Sequence, residues 1–175
     1  MSTWQLDTAH TVVSFTAKHM MITKVRGIFK GVTGTIEFDE ADPARSAVEV
    51  TIPAATVETG MEARDNHLRS ADFLDVEHFP TLAFRSTRVT HVKGDEWLVD
   101  GELTVRGVTR AVQLELEIDG VVRDPWGNER LAFSAETEID REEFGLTWNV
   151  ALETGGVLVG KKVKIEIEGQ GVRQS

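Results

Sequence analysis

Most of this chain alternates apolar and polar residues with a period of two, and this pattern constrains the fold more than any other feature. Between residues 112 and 118, four apolar residues alternate with Gln113, Glu115 and Glu117. Such alternation is typical of strands that bury one face, because successive side chains point to opposite sides of a sheet. The pattern predicts about eight strands, at residues 13–19, 27–39, 48–52, 82–89, 97–105, 112–118, 131–139 and 163–167.

Short turns separate most of these segments, so the strands are expected to pair in antiparallel order. An open antiparallel sheet of this size would leave two edges free for aggregation, and closure into a barrel removes both. We therefore predict an all-β fold, an antiparallel up-and-down barrel of eight strands, formed by residues 1–175 as a single domain. A sandwich of two sheets is the alternative architecture.

One segment, residues 63–80, interrupts the alternation between the third and fourth predicted strands. Its first half is polar and compatible with a helix, whereas its second half places Phe73, Leu74 and Phe79 among carboxylates. Connecting segments of this length in a compact domain are usually functional or disordered, and the apolar anchors argue against disorder. We predict a short helical insertion that forms a site or a lid.

Charge and composition exclude several classes of function. The 175 residues carry 19 Lys and Arg against 29 Asp and Glu, and this net charge of -10 repels nucleic-acid phosphates, so no nucleic-acid partner is expected. The sequence has no cysteine, which excludes disulfides, thiolate metal sites and cysteine nucleophiles. The five histidines lack the spacings typical of metal ligands, and we expect neither a metal nor another cofactor.

Targeting and membrane signals are not visible in this sequence. The N-terminal residues lack a basic segment followed by an apolar one, and no apolar run approaches the roughly 20 residues of a membrane-spanning helix. We therefore expect a protein without a transmembrane segment and with a cytoplasmic location.

Four motifs of this chain occur in the same order as in a known family. They are Trp4-x-Leu6-Asp7-x-x-His10-Thr11, Arg64-Asp65-x-His67-Leu68-Arg69-Ser70, Gly101-x-Leu103-Thr104-Val105 and Ile139-x-Arg141-x-x-Phe144-Gly145. With these motifs the chain resembles the YceI family over essentially its whole length. The resemblance implies a lipocalin-like barrel that holds a long isoprenoid or related amphipathic lipid in its lumen. Because relatives often pair, it also makes a homodimer an expectation.

The inward faces of the strands are the first candidate site. Their side chains either fill the barrel or surround a bound lipid, and the alternation by itself leaves both arrangements open. Small inward residues, such as Ala17, Gly34, Gly101 and Ala135, leave room along part of the lumen and favour a bound lipid. The residues predicted to contact it, there and at the mouth, are Phe15, His19, Met21, Phe29, Phe38, Arg64, His67, Phe73, Phe79, Phe84, Trp97, Leu103, Phe133 and Trp148.

The central insertion is the second candidate site. Arg64, His67 and Arg69 would contact the polar head group of the lipid at the barrel mouth, or they would pin the insertion to the barrel end. Phe73-Leu74 and Met20-Met21-Ile22 would partly cover that mouth, where flexible methionine side chains adapt to an irregular guest.

The predicted function is the binding, sequestration or transport of an isoprenoid-type lipid, of the isoprenoid quinone or polyprenyl phosphate class, without catalysis. One alternative is an enzyme that acts on such a lipid, with His67 as acid or base beside Asp65 or Asp72. The other alternative is a solidly filled barrel that serves as an interaction module.

Overall fold

The computed structural model describes residues 1–153 and 156–175, and these residues form ten β-strands and one short α-helix. Short 3-10 turns connect several of these elements. The strands are β1 (Ser2–Leu6), β2 (Val12–His19), β3 (Thr23–Phe29), β4 (Thr33–Phe38), β5 (Ala47–Pro53), β6 (Thr81–Lys93), β7 (Glu96–Val105), β8 (Val108–Arg123), β9 (Glu129–Asp140) and β10 (Val159–Arg173), and the helix is α1 (Glu62–Arg69).

Eight of the strands close into an antiparallel barrel. Strands β4 to β10 pair in chain order, and β1 lies between β4 and β10. Trp4 of β1 is paired with Ile36 on one side and with Arg173 on the other. Closure removes the free edges that these eight strands would have in an open sheet. The predicted all-β, eight-stranded antiparallel barrel is confirmed.

The hairpin of β2 and β3 joins the barrel along the first two thirds of β10. Strand β10 pairs with β2 from Val159 to Glu168, whereas its last residues pair with β1. Val13, Phe15 and Phe29 of this hairpin face the barrel interior. One part of the wall is therefore built by β1 and β4, and the neighbouring part by β2 and β3.

The prediction of one continuous strand from residue 27 to residue 39 is wrong. The chain ends β3 at Phe29, turns, and begins β4 at Thr33. Gly31 in the turn has a φ of 71°, a left-handed conformation that a regular strand does not contain. Val32 is completely buried although it lies between the strands. The apolar pattern therefore continues through the break and conceals it.

The predicted helical insertion is present between β5 and β6, where its segment covers one end of the barrel. Asp65 of α1 accepts hydrogen bonds from the backbone nitrogen and the hydroxyl of Thr59, at 2.8 and 2.5 Å. Arg69 donates to the carbonyl oxygens of Ala55 and Val57, both at 2.8 Å. These bonds fix the helix to the chain that follows β5. The part of the chain that the structure describes contains no helix that could span a membrane.

Candidate functional site

A cavity of about 420 Å³ runs through the interior of the barrel, and all ten strands contribute side chains to its wall. This volume lies within the roughly 300–1,000 Å³ of typical ligand pockets. Inward-facing residues such as Val50, Leu116 and Ile165 are only half-buried, because their inner surfaces face empty space. The side chains of the barrel therefore do not fill its interior.

The cavity is long enough for an extended lipid tail. Strand β7 contributes wall residues from Trp97 to Val105. At roughly 3.3 Å per residue and a strand tilt of roughly 40°, this stretch spans about 20 Å along the barrel axis. One leaflet of a bilayer core is about 15 Å deep, half of the roughly 30 Å of the whole core. The lumen therefore matches a chain at least as long as a membrane lipid tail.

The two ends of the cavity differ in exposure. At the end covered by the insertion, the wall residues Phe73, Leu74 and Phe144 are only 6%, 7% and 1% exposed. At the opposite end, Glu40 and Asp95 line the cavity and are exposed to solvent. We call the insertion end the floor, and the opposite end, where the turns after β4, β6 and β8 lie, the mouth.

Three phenylalanine rings lie against glycines on neighbouring strands and leave the lumen open between them. A Cβ atom at Gly101 would lie 2.5 Å from Cζ of Phe84, so the space expected there for a guest belongs to this ring. Glycine allows a ring to lie close to the backbone of the sheet. The three pairs are Phe15 with Gly27, Phe84 with Gly101, and Phe133 with Gly169.

Arg141 lies in the cavity wall at the floor, although it is not among the contact residues predicted from the sequence. The residue is 4% exposed. Burial lowers the pKa of its guanidinium group, because a charge removed from water is less stable. The sequence signal that could have indicated this residue is its position in the motif Ile139-x-Arg141-x-x-Phe144-Gly145, directly after a predicted strand. Its side chain donates hydrogen bonds to four carbonyl oxygens, those of Leu146, Trp148, Val159 and Gly160.

The structure brings eight of the predicted contact residues together on the cavity wall. Their contact with a guest stays a prediction. These eight are Phe15, Phe29, Phe38, Phe73, Phe84, Trp97, Leu103 and Phe133. The other six lie outside the wall, and they are His19, Met21, Arg64, His67, Phe79 and Trp148.

The residues predicted to contact a head group make other contacts at the floor. His67 packs against Phe73 and Trp148, with ring centroids 5.0 and 4.5 Å away, and its Nε2 lies 2.8 Å from a carboxylate oxygen of Asp72. Arg64 donates hydrogen bonds to the chain between β5 and α1. These hydrogen bonds join parts of the insertion to one another. The choice between contact with a head group and a structural role stays a prediction.

Polar side chains are sparse on the cavity wall. Among the described residues they are Glu40, Ser46 and Asp95 near the mouth, Thr137 on β9, and Arg141 at the floor. No group of three or more side chains that could hold a metal ion occurs in the described ranges 1–153 and 156–175. The wall suits a long apolar guest with a small polar group at one end.

Comparison with known proteins places this barrel among its relatives. The YceI-like domain family matches residues 4–170. The chain belongs to the YceI-like family. One YceI-like relative, Protein YceI of Salmonella newport, is 39% identical over 165 residues, which cover 94% of this chain and 83% of the relative.

Two solved structures have the same fold as this YceI-like chain. Burkholderia cenocepacia BcnA matches with a TM-score of 0.80 at 22% identity, over 94% of this chain and 98% of the other. A polyisoprenoid binding domain from Saccharophagus degradans matches with a TM-score of 0.72 at 14% identity, over 98% of each chain. At these identities the similarity shows the fold alone.

Proposed function

We propose that this YceI-like protein binds a long-chain isoprenoid-type lipid, such as an isoprenoid quinone or a polyprenyl phosphate, and carries or sequesters it unchanged. The observation that carries the proposal is the apolar cavity of about 420 Å³, which is covered at the floor and exposed at the mouth. The same fold in a polyisoprenoid binding domain from Saccharophagus degradans supports the isoprenoid class of guest.

The asymmetry of the cavity supports one orientation of the guest. The floor is buried and apolar except for Arg141, whose guanidinium group already donates to four carbonyl oxygens. A polar head group that reached it would first lose its hydration along about 20 Å of apolar wall, which is costly. The tail therefore points to the floor, and the head group stays at the mouth near Glu40, Ser46 and Asp95, where the two carboxylates suit an uncharged quinone head group better than a phosphate.

Burial of the tail provides enough free energy for binding. About ten methylene-sized groups at roughly 0.8 kcal/mol each contribute about 8 kcal/mol. Before the costs of association, this corresponds to a dissociation constant of about 1 µM. Apolar burial accounts for such an affinity without a contribution from charged groups.

A role in binding is also supported by the location of the candidate catalytic pair. His67 and Asp72 contact each other at 2.8 Å, but neither side chain lies on the cavity wall. A guest inside the lumen is therefore separated from this acid–base pair. Turnover of the lipid by His67 would require a second binding position outside the barrel.

Native mass spectrometry of protein purified without detergent tests the proposal. The expected result is a discrete adduct of lipid mass that organic extraction removes. The extract then identifies the guest by its own mass. A bare protein mass that does not change after incubation with isoprenoid quinones and polyprenyl phosphates would contradict the proposal.

A variant of the wall and a matched control locate the guest. Val112 lines the cavity beside Gly101, whereas its neighbour Ala111 is exposed on the outer face. Val112→Trp should reduce the bound fraction strongly, because the indole ring occupies the lumen. Ala111→Trp adds the same group outside and should leave binding unchanged. Equal occupancy in both variants would place the guest elsewhere.

A further inference from the structure

The turn of the β2–β3 hairpin has an unusual composition. Met20 and Met21 have φ values of 54° and 64°, and the Ile22 nitrogen donates to the carbonyl oxygen of His19 at 3.2 Å. Positive φ at both central residues defines a type I′ turn, for which Asn-Gly is strongly preferred because other side chains are strained there. Two methionines at these positions make the turn less stable than an Asn-Gly turn would be.

The same residues expose apolar surface to solvent. Met20, Met21 and Ile22, which we call the tip, are 48%, 53% and 85% exposed. Single exposed apolar residues are ordinary, but three consecutive ones at the end of a hairpin are not. The Met20 nitrogen donates to the carbonyl oxygen of Leu158 at 2.7 Å, yet all three side chains stay exposed. Strain and exposure at one place indicate a functional role for the tip.

The hairpin also presents positive charge next to the tip. Lys18 and Lys24 are paired across the two strands, and Arg26 follows two residues later on β3. All three side chains are exposed, in a chain with a net charge of -10. The lysine ion pairs found among the described residues involve Lys30, Lys161, Lys162 and Lys164. Lys18 and Lys24 are therefore available to an external anion.

Protection of a sheet edge explains only part of this arrangement. Strand β3 ends the sheet order, and charged residues such as Lys24 and Arg26 are a common means of preventing edge-to-edge pairing. That role does not explain the apolar tip, which would itself promote association. Apolar residues at an extremity beside lysines are instead typical of segments that bind at a membrane surface.

We propose that the tip and its flanking cations form a docking surface for a membrane that contains anionic lipids. Met20, Met21 and Ile22 enter the interfacial region of the bilayer, and Lys18 and Lys24 lie at the level of the lipid phosphates. The proposal concerns the outer surface of the hairpin and does not depend on what the lumen holds.

A second copy of the chain is a poorer partner for this surface. In a two-fold symmetric contact the same patch meets itself, so Lys18 and Lys24 of one copy would face those of the other. Like charges placed together in an interface are unfavourable. An anionic bilayer instead neutralises the lysines and buries the tip.

Flotation with lipid vesicles tests the proposal on the full chain. The protein should bind vesicles of phosphatidylcholine mixed with phosphatidylglycerol, bind phosphatidylcholine alone more weakly, and be released by high salt. Lys18→Gln combined with Lys24→Gln should weaken binding to the mixed vesicles about 30-fold, since each lysine contributes roughly 1 kcal/mol near an anionic surface. No binding of the unaltered protein to the mixed vesicles would overturn the proposal.

The variant Met20→Asn with Met21→Gly separates docking from folding. It installs the preferred turn residues, so the melting temperature should rise while vesicle binding falls by roughly tenfold or more. A merely structural tip would not give opposite changes in these two quantities. Unchanged vesicle binding in this variant would overturn the proposal, whether or not the oligomeric state of the protein changes.

A control at the other end of the barrel completes the design. Trp126 is 80% exposed in the turn between β8 and β9, on the mouth side. Trp126→Ser removes a comparable apolar group and should leave vesicle binding unchanged. Loss of binding in this variant but not in the tip variant would assign docking to the mouth and overturn the proposal. Lipid occupancy measured by native mass spectrometry should not change in the tip variant, so docking and lumen binding can fail independently.

Discussion

Replacement of Arg141 by methionine should destabilise the barrel more than any other single loss of charge described above. The guanidinium group holds four carbonyl oxygens, and two of them, on Val159 and Gly160, belong to the start of β10. The other two belong to Leu146 and Trp148 in the connection that precedes β10. One side chain therefore ties this connection to the last strand of the barrel.

The magnitude follows from the number and kind of these bonds. A hydrogen bond from a charged donor contributes roughly 1.5–3 kcal/mol. Two effects reduce the simple sum, because water reaches part of these half-buried carbonyls and because methionine removes the cost of burying a charge. We expect a net loss of about 3 kcal/mol in the free energy of unfolding. For a chain of this size, that loss lowers the melting temperature by about 10 °C.

Urea denaturation of the two proteins measures this difference, with the slope against urea concentration as a check on two-state behaviour. Arg110→Met is the matched control, because Arg110 is exposed and makes one long hydrogen bond, of 3.4 Å, to Thr109. The control should change the unfolding free energy by less than about 0.5 kcal/mol. If Arg141→Met changes the free energy of unfolding by less than about 1 kcal/mol, the four hydrogen bonds do not stabilise the floor.

Two further predictions concern acid stability and backbone strain. A hydrogen bond from Arg130, and a second one from His10, hold the pKa of Asp7 below its ordinary value of 3.8. The stability contributed by Asp7 is therefore present above about pH 4 and lost as the pH falls below it. Asp7→Asn should weaken the dependence of the free energy of unfolding on pH in this acidic range. An unchanged dependence would count against the ion pair of Asp7 with Arg130. Gly107 has a φ of 72° and a Cβ there would lie 2.7 Å from Cε1 of Phe79, whereas Gly94 has a φ of 51° and open space around it. Gly107→Ala should cost about 2 kcal/mol more than Gly94→Ala in urea denaturation, and equal costs would show that Phe79 moves aside freely.

The alternation of the sequence predicted the strands best where one face is apolar throughout. Residues 112–118 and 163–167 lie in β8 and β10 as expected. Strand β1 was missed, because five residues with Trp4 and Leu6 as inward anchors give too short a pattern. The break at Gly31 was missed because Val32 is buried within the turn itself. Periodicity reports which side chains are buried, and it does not report where the backbone reverses.

The candidate site was predictable in its wall but not in its ends. Inward residues such as Phe84 and Trp97 follow from the period of two. The sequence pattern predicts a mouth at the insertion, yet the exposed part of the wall lies at the opposite end, near Asp95. Exposure depends on how connections fold over the barrel, which no local pattern contains. Arg141 escaped for the same reason, since its four partners lie in a connection and a distant strand.

The rings that lie on glycines have a consequence for how such barrels diverge. The width of the lumen depends on Gly27, Gly101 and Gly169, which lie outside the cavity wall, because each lets a neighbouring phenylalanine ring lie against the backbone of the sheet. A methyl group added at Gly27 or Gly169 would overlap the ring of Phe15 or Phe133, whereas at Gly101 it would also lie 2.5 Å from the carbonyl oxygen of Arg85 and displace the strand. The width of the guest that the lumen accepts can therefore change through a substitution at Gly27 or Gly169, while every residue on the cavity wall stays the same.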